Sequence, residues 1–181
     1  MTSKLKTDVL ETVSGSGTIA LTNQLSGMTS ASVPLLTEAQ MPVGSVLQVV
    51  QNSNVAGSVQ TTSTSLVASG LIATITPKYA NSKIVINYSS SMAHANSILT
   101  AQMFINVGGA GYTAMAGSSS NYMMGYIQSS NNYAPMIFDG QYQCTNTNTL
   151  NIQPYIKTTS GTANFVHSNS AYALTLTEIK Q

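Results

Sequence analysis

Lys83-Ile84-Val85-Ile86-Asn87-Tyr88-Ser89-Ser90-Ser91 is the stretch that decides the fold. Side chains of an extended chain point alternately to its two faces. Ile84, Ile86 and Tyr88 therefore share one face and Val85, Asn87 and Ser89 the other. A one-sided apolar stripe rich in Ile, Val and Tyr predicts a half-buried strand. Working outward, 98–107 repeats the pattern with Leu99, Ala101, Met103, Ile105 and Val107 on one face. Residues 171–179 set Tyr172, Leu174 and Leu176 opposite Ala173, Thr175 and Thr177. Further strands are predicted near 45–52, 71–76, 133–138 and 149–156, with a weaker one over 58–67. Pro154 lies inside one of them and, lacking an N–H, predicts a sheet edge or a bulge there. No segment keeps a helical period over three turns. About eight short strands joined by Ser, Asn and Gly turns predict an all-β chain, an antiparallel β-sandwich or barrel.

Charge is scarce. Only 6% of the 181 residues are charged, against roughly 25% in an ordinary soluble domain, and there is no tryptophan. The polar surface is built instead from hydroxyls and amides, as in Ser118-Ser119-Ser120-Asn121 and Thr145-Asn146-Thr147-Asn148-Thr149. The six lysines are scattered at Lys4, Lys6, Lys78, Lys83, Lys157 and Lys180, so no basic patch is present to attract nucleic acid. A net charge of +1 also leaves little repulsion between identical copies. Cys144 is the lone cysteine, which excludes an intrachain disulfide and fits assembly in a reducing cytoplasm. No apolar run is long enough for membrane insertion, and the N-terminus lacks the apolar run of a secretory signal.

Residues 1–40 differ from the rest. They hold Asp8, Glu11 and Glu38, the loose Ser14-Gly15-Ser16-Gly17, and one short β-like run, Thr18-Ile19-Ala20-Leu21-Thr22. So few apolar residues cannot build a core, which leaves two alternatives: disorder, or an extended arm that orders against another subunit. The 41–181 segment is the sandwich domain. Within it, 108–132 is the least strand-like part and is expected to form long loops. Tyr112, Met115, Tyr122, Met123, Met124 and Tyr126 are its candidate contact residues. The alternative for these Met and Tyr side chains is filling of the core or of a subunit contact.

Catalytic constellations are hard to assemble from this chain. Beyond residue 40 the acids are Asp139 and Glu178, so a glycosidase would have to place that pair about 5–10 Å apart. Asp139 in Phe138-Asp139-Gly140 is expected to form a turn. Glu178 falls on the apolar face of the last strand and is expected to reach solvent at the strand's end. His94 and His167 lie apart, without ligand spacing; a metal would need them shared across a symmetry axis. Cys144 has no nucleophile motif and is expected to be a packed thiol. The glycines of Val107-Gly108-Gly109-Ala110-Gly111 lack the context of a phosphate loop. The expectation is no enzyme, no cofactor and no metal.

Met41-Pro42-Val43-Gly44-Ser45-Val46-Leu47-Gln48-Val49-Val50-Gln51 is followed by Thr62-Ser63-Thr64-Ser65-Leu66-Val67. Ser69-Gly70-Leu71-Ile72-Ala73-Thr74-Ile75-Thr76-Pro77-Lys78 and Ser82-Lys83-Ile84-Val85-Ile86 come next, and Ala173-Leu174-Thr175-Leu176-Thr177-Glu178-Ile179-Lys180 closes the chain. Together these stretches resemble a family of tailed-bacteriophage virion proteins, of the fibre-like kind found in marine and cyanobacterial phages. The opening at 3–24 is similar to the N-terminal arm of such proteins. The resemblance is strongest at 41–86 and 172–180 and weak through 92–170. It implies a jelly-roll-like β-sandwich, a homotrimer and a place in the virion after assembly in the host cytoplasm. The partners implied are a further copy of the chain and other capsid or tail proteins, and no active site is implied. At 181 residues the chain lacks the long shaft expected of a complete tail fibre, which favours a short head fibre or capsid decoration protein, or a compact tip, with Thr18–Thr22 as the assembly arm. The alternative is a tail-fibre receptor-binding module that recognises a host surface glycan.

Overall fold

A computed structural model describes residues 38–56, 58–95, 98–115, 122–125, 133–167 and 170–181. Twelve strands, numbered in chain order, lie among them. One sheet is built from β1 (Val46–Ala56), β12 (Ser170–Ile179), β5 (Lys83–Ala95) and β9 (Tyr133–Gln143), each antiparallel to its neighbour. Two short strands, β11 (Ala163–Val166) and β2 (Val59–Thr61), extend it beyond one end of β5. The second sheet runs β4 (Ala73–Ile75), β10 (Leu150–Thr158), β6 (Leu99–Val107) and β8 (Tyr122–Gly125). Here β3 (Val67–Ala68) pairs with β10, and β7 (Tyr112–Ala114) with β6.

Leaving out the short β2, β3, β7 and β11, the remaining eight strands in chain order form sheets 1-8-3-6 and 2-7-4-5. That is the order of a jelly roll, two Greek keys folded into facing sheets. The open choice between sandwich and barrel is settled for the sandwich. No α-helix occurs among the described residues; Glu38–Gln40 forms one 3-10 turn.

The alternation in the sequence becomes burial. Ile84, Ile86 and Tyr88 of β5 and Leu174 and Leu176 of β12 meet Leu99, Ala101 and Met103 of β6 and Leu150, Ile152 and Ile156 of β10 in one core. Each of these side chains is at most 1% exposed. Truncating such a residue to Ala costs about 2–5 kcal/mol through lost contacts and the cavity left behind.

Three expectations need correction. Pro154 is not on an edge: β10 pairs with β6 on one side and with β3 and β4 on the other. Its carbonyl accepts from Ser69 N at 3.0 Å, in the break between β3 and β4. A strand residue's N–H and C=O point the same way, so the donor proline lacks faces that break and no ladder bond to β6 is lost. Gly70, at φ 79°, makes the turn inside the break.

Phe138-Asp139-Gly140 is not a turn either but the middle of β9, with Asp139 paired to Asn87. Gly140 is required there for space, since a Cβ would lie 2.6 Å from the Phe138 ring. Finally, the 108–132 segment contains β7 and β8 and is not all loop. A strand at Ala163–Val166 also escaped prediction, because four residues are too few to display a period.

Candidate functional site

Glu178 is the first residue whose surroundings differ from expectation. Alternation puts it on the inner face of β12, and the side chain stays there, 0% exposed, instead of turning out to solvent. Its Oε1 accepts from Ser82 Oγ at 2.6 Å, from Lys78 N at 2.8 Å and from Tyr79 N at 3.3 Å. Its Oε2 accepts from Gln48 Nε2 at 2.6 Å, and the same amide donates to Thr76 O at 2.7 Å. Four donors replace the water that a buried carboxylate has lost.

Cys144 adjoins this cluster, its backbone N–H donating to Ser82 O at 2.9 Å. Burial pushes its thiol up, a hydrogen bond with Ser82 pulls the other way, and the charge of Glu178 adds to the rise. At 2% exposed Cys144 has no access to a substrate, and neither have Ser82 and Glu178, both 0% exposed. The arrangement is a structural tie.

Its four partners, Gln48, Lys78, Tyr79 and Ser82, come from segments far apart from it in the sequence. Gln48 comes from β1, Lys78 and Tyr79 from the segment that follows β4, Ser82 from the position just before β5, and Glu178 from β12. Segments separated by up to 130 positions thus converge on one carboxylate.

The sequence-predicted contact residues separate. Thr18, Ile19, Ala20, Leu21, Thr22 and Tyr126 lie outside the described residues. Met115 is buried at 7% exposure and belongs to the core, the alternative given for it above. Tyr122, Met123 and Met124 lie on β8, paired with Gln102, Ala101 and Thr100 of β6. Tyr112 lies on β7, half-buried, opposite Asn106.

Tyr112 is joined by two aromatics the sequence analysis passed over. Phe104 and Tyr155 stack with centroids 4.1 Å apart, and Tyr112 tilts at 51° toward Tyr155 at 5.8 Å. Burial pushes the Tyr112 hydroxyl up, and the neighbouring Tyr155 adds to the rise. All three rings are on the outer face of the second sheet and are half-buried. The signal was available: each of Phe104 and Tyr155 has the parity opposite to its strand's apolar stripe, and an aromatic there has no core to enter.

Gln102 and Asn106 flank Phe104 on the same face, and Gln153 lies directly across from it. Gln153 is only 3% exposed, and its Oε1 has no hydrogen-bond partner.

The outer face of the first sheet is plainer. Gln51 donates to Thr175 at 3.0 Å and Asn87 to Asp139 at 2.6 Å, making a polar row across four strands. Beside it a shallow groove of about 310 Å³ runs past Ser89, Pro135, Ile137, Ala171 and Ala173. No group of three or more His, Cys, Asp or Glu side chains suited to a metal occurs among the described residues.

No family model and no curated protein matches the chain. Among solved structures it is similar to the VP2 subviral particle of infectious bursal disease virus, at 12% identity and a TM-score of 0.44. The match covers 82% of this chain and 36% of that one, so the chain spans about a third of that protein.

Proposed function

We propose that the protein is a structural component of a bacteriophage virion, a short surface fibre or capsid decoration protein. Residues 1–40 anchor it to the particle, and the sandwich faces outward as a homotrimer. The observation that carries this reading is the Glu178 tie. The stretches that resemble phage virion proteins converge on a buried carboxylate that fixes strand ends, so what they specify is a frame. A jelly roll is a common frame for capsid proteins, although the same fold serves lectins, so fold alone does not decide function. The hydroxyl-and-amide surface with few charges suits a part held by shape among like parts.

Purified particles labelled with an antibody against the sandwich test this directly. The label is expected at regular positions on the head, and its absence from intact particles refutes the virion role. Removing residues 1–40 is expected to abolish incorporation; a truncated protein that incorporates normally refutes the anchoring arm. Light scattering that finds a stable monomer at micromolar concentration refutes the trimer.

A further inference from the structure

We propose that the outer face of the second sheet, around Tyr112, Phe104 and Tyr155, binds a neutral saccharide, with Gln153 as its buried acceptor. A sugar ring presents an apolar C–H patch and a rim of hydroxyls. It is held by aromatic side chains for the patch and by amides for the rim. This face has both within reach of one another: three half-buried rings, with Gln102, Asn106 and Gln153 beside Phe104.

Gln153 Oε1 is the observation that points to an occupant. A buried acceptor is nearly always satisfied in a folded protein, and this one, 3% exposed, has no partner. It lies across from Phe104, on the side of β10 that also carries Tyr155. That oxygen is sealed from solvent, so a ligand hydroxyl beside the Phe104–Tyr155 stack reaches it as the Gln153 amide turns outward, and supplies the donor that the chain does not.

Charge selects the class of ligand. Nucleic-acid bases also stack on aromatic rings, but their phosphates require a row of cations. Among the outward positions of β6 and β10, Lys157 is the single charged residue. A neutral, hydroxyl-rich ligand matches this surface and a polyanion does not.

The proposal is independent of the virion role, because it is read on the isolated protein. The full chain is applied to immobilised neutral oligosaccharides of glucose, galactose, mannose and N-acetylhexosamines, with sulfated and sialylated glycans as charged controls. Bound sugars are then titrated in solution by tyrosine fluorescence, which no tryptophan obscures. At least one neutral class is expected to bind. Tyr155→Ala weakens it about tenfold or more, and Tyr155→Phe, which keeps the ring, stays within about threefold. Gln153→Leu weakens it while the thermal midpoint holds or rises, because an unpartnered buried oxygen has been removed. That pair of readouts separates a ligand acceptor from a residue that merely supports the sheet. Failure to bind any neutral saccharide overturns the proposal, as does binding confined to the charged controls. So does binding that survives both Tyr155→Ala and Gln153→Leu. A Tyr155→Ala protein that changes oligomeric state with its sugar affinity intact also overturns it, and makes the face a subunit contact.

Discussion

The Ser82 hydroxyl donates to Glu178 Oε1 at 2.6 Å, with both residues 0% exposed. Because Glu178 also takes two backbone N–H groups and the Gln48 amide, its removal strands four donors. Glu178→Ala is expected to destabilise the protein by about 3 kcal/mol or more. Glu178→Gln keeps one oxygen but turns an NH₂ toward a donor, for a loss of about 1–3 kcal/mol. Urea unfolding with an unchanged slope checks both; losses below about 1 kcal/mol for the two variants would refute the tie.

Asp139 supplies the contrast. It is exposed on the outer face of β9 and accepts a single side-chain bond, from Asn87 at 2.6 Å. Water replaces that bond readily, so Asp139→Asn is expected to cost about 0–1 kcal/mol in the same urea measurement. A loss as large as that of Glu178→Ala would mean the Asn87 pair supports the sheet more than its exposure implies.

Gly140 and Phe138 form a unit on β9. A methyl at Gly140 would lie 2.6 Å from the Phe138 ring, which packs against the core, so the ring must be displaced. Gly140→Ala is expected to cost about 1–3 kcal/mol. In a Phe138→Ala background the same change should cost much less, and a double-mutant cycle reads the difference. Additive losses would show that the ring is not what excludes the methyl.

The frame was legible because its signal is local. The parities of Ile84, Ile86 and Tyr88 in β5 and of Leu174 and Leu176 in β12 are set by the strand period, and burial follows them. What misled were residues whose role depends on a distant neighbour. Glu178 reads as a solvated strand end until Ser82 and the Lys78–Tyr79 turn are brought to it, 96 to 100 positions away. Asp139-Gly140 has the composition of a turn, and only pairing with β5 and the Phe138 ring make it strand. Among the candidate contact residues whose side chains are described, Tyr112 joins the aromatic face; Phe104 and Tyr155 come from strands whose apolar stripes drew attention inward.

Cys144 sets the pH dependence. Burial raises its thiol above the ordinary value of about 8.5, so the folded state keeps a proton that the unfolded state releases. Where the unfolded chain binds fewer protons, stability falls as pH rises. The contribution is therefore fully present below about pH 8.5 and is lost as pH climbs toward and through the raised value. Tyr88 and Tyr112, also pushed up by burial, act in the same direction but chiefly above about pH 9, since an ordinary tyrosine is half ionised at about pH 10. The interval between about pH 8 and 9 thus isolates the thiol. Urea unfolding across it should show declining stability in the native sequence. Cys144→Ala, though less stable overall from the small cavity, should show a flatter profile there. An equal decline in both proteins would place the sensitivity elsewhere and remove the thiol from the account.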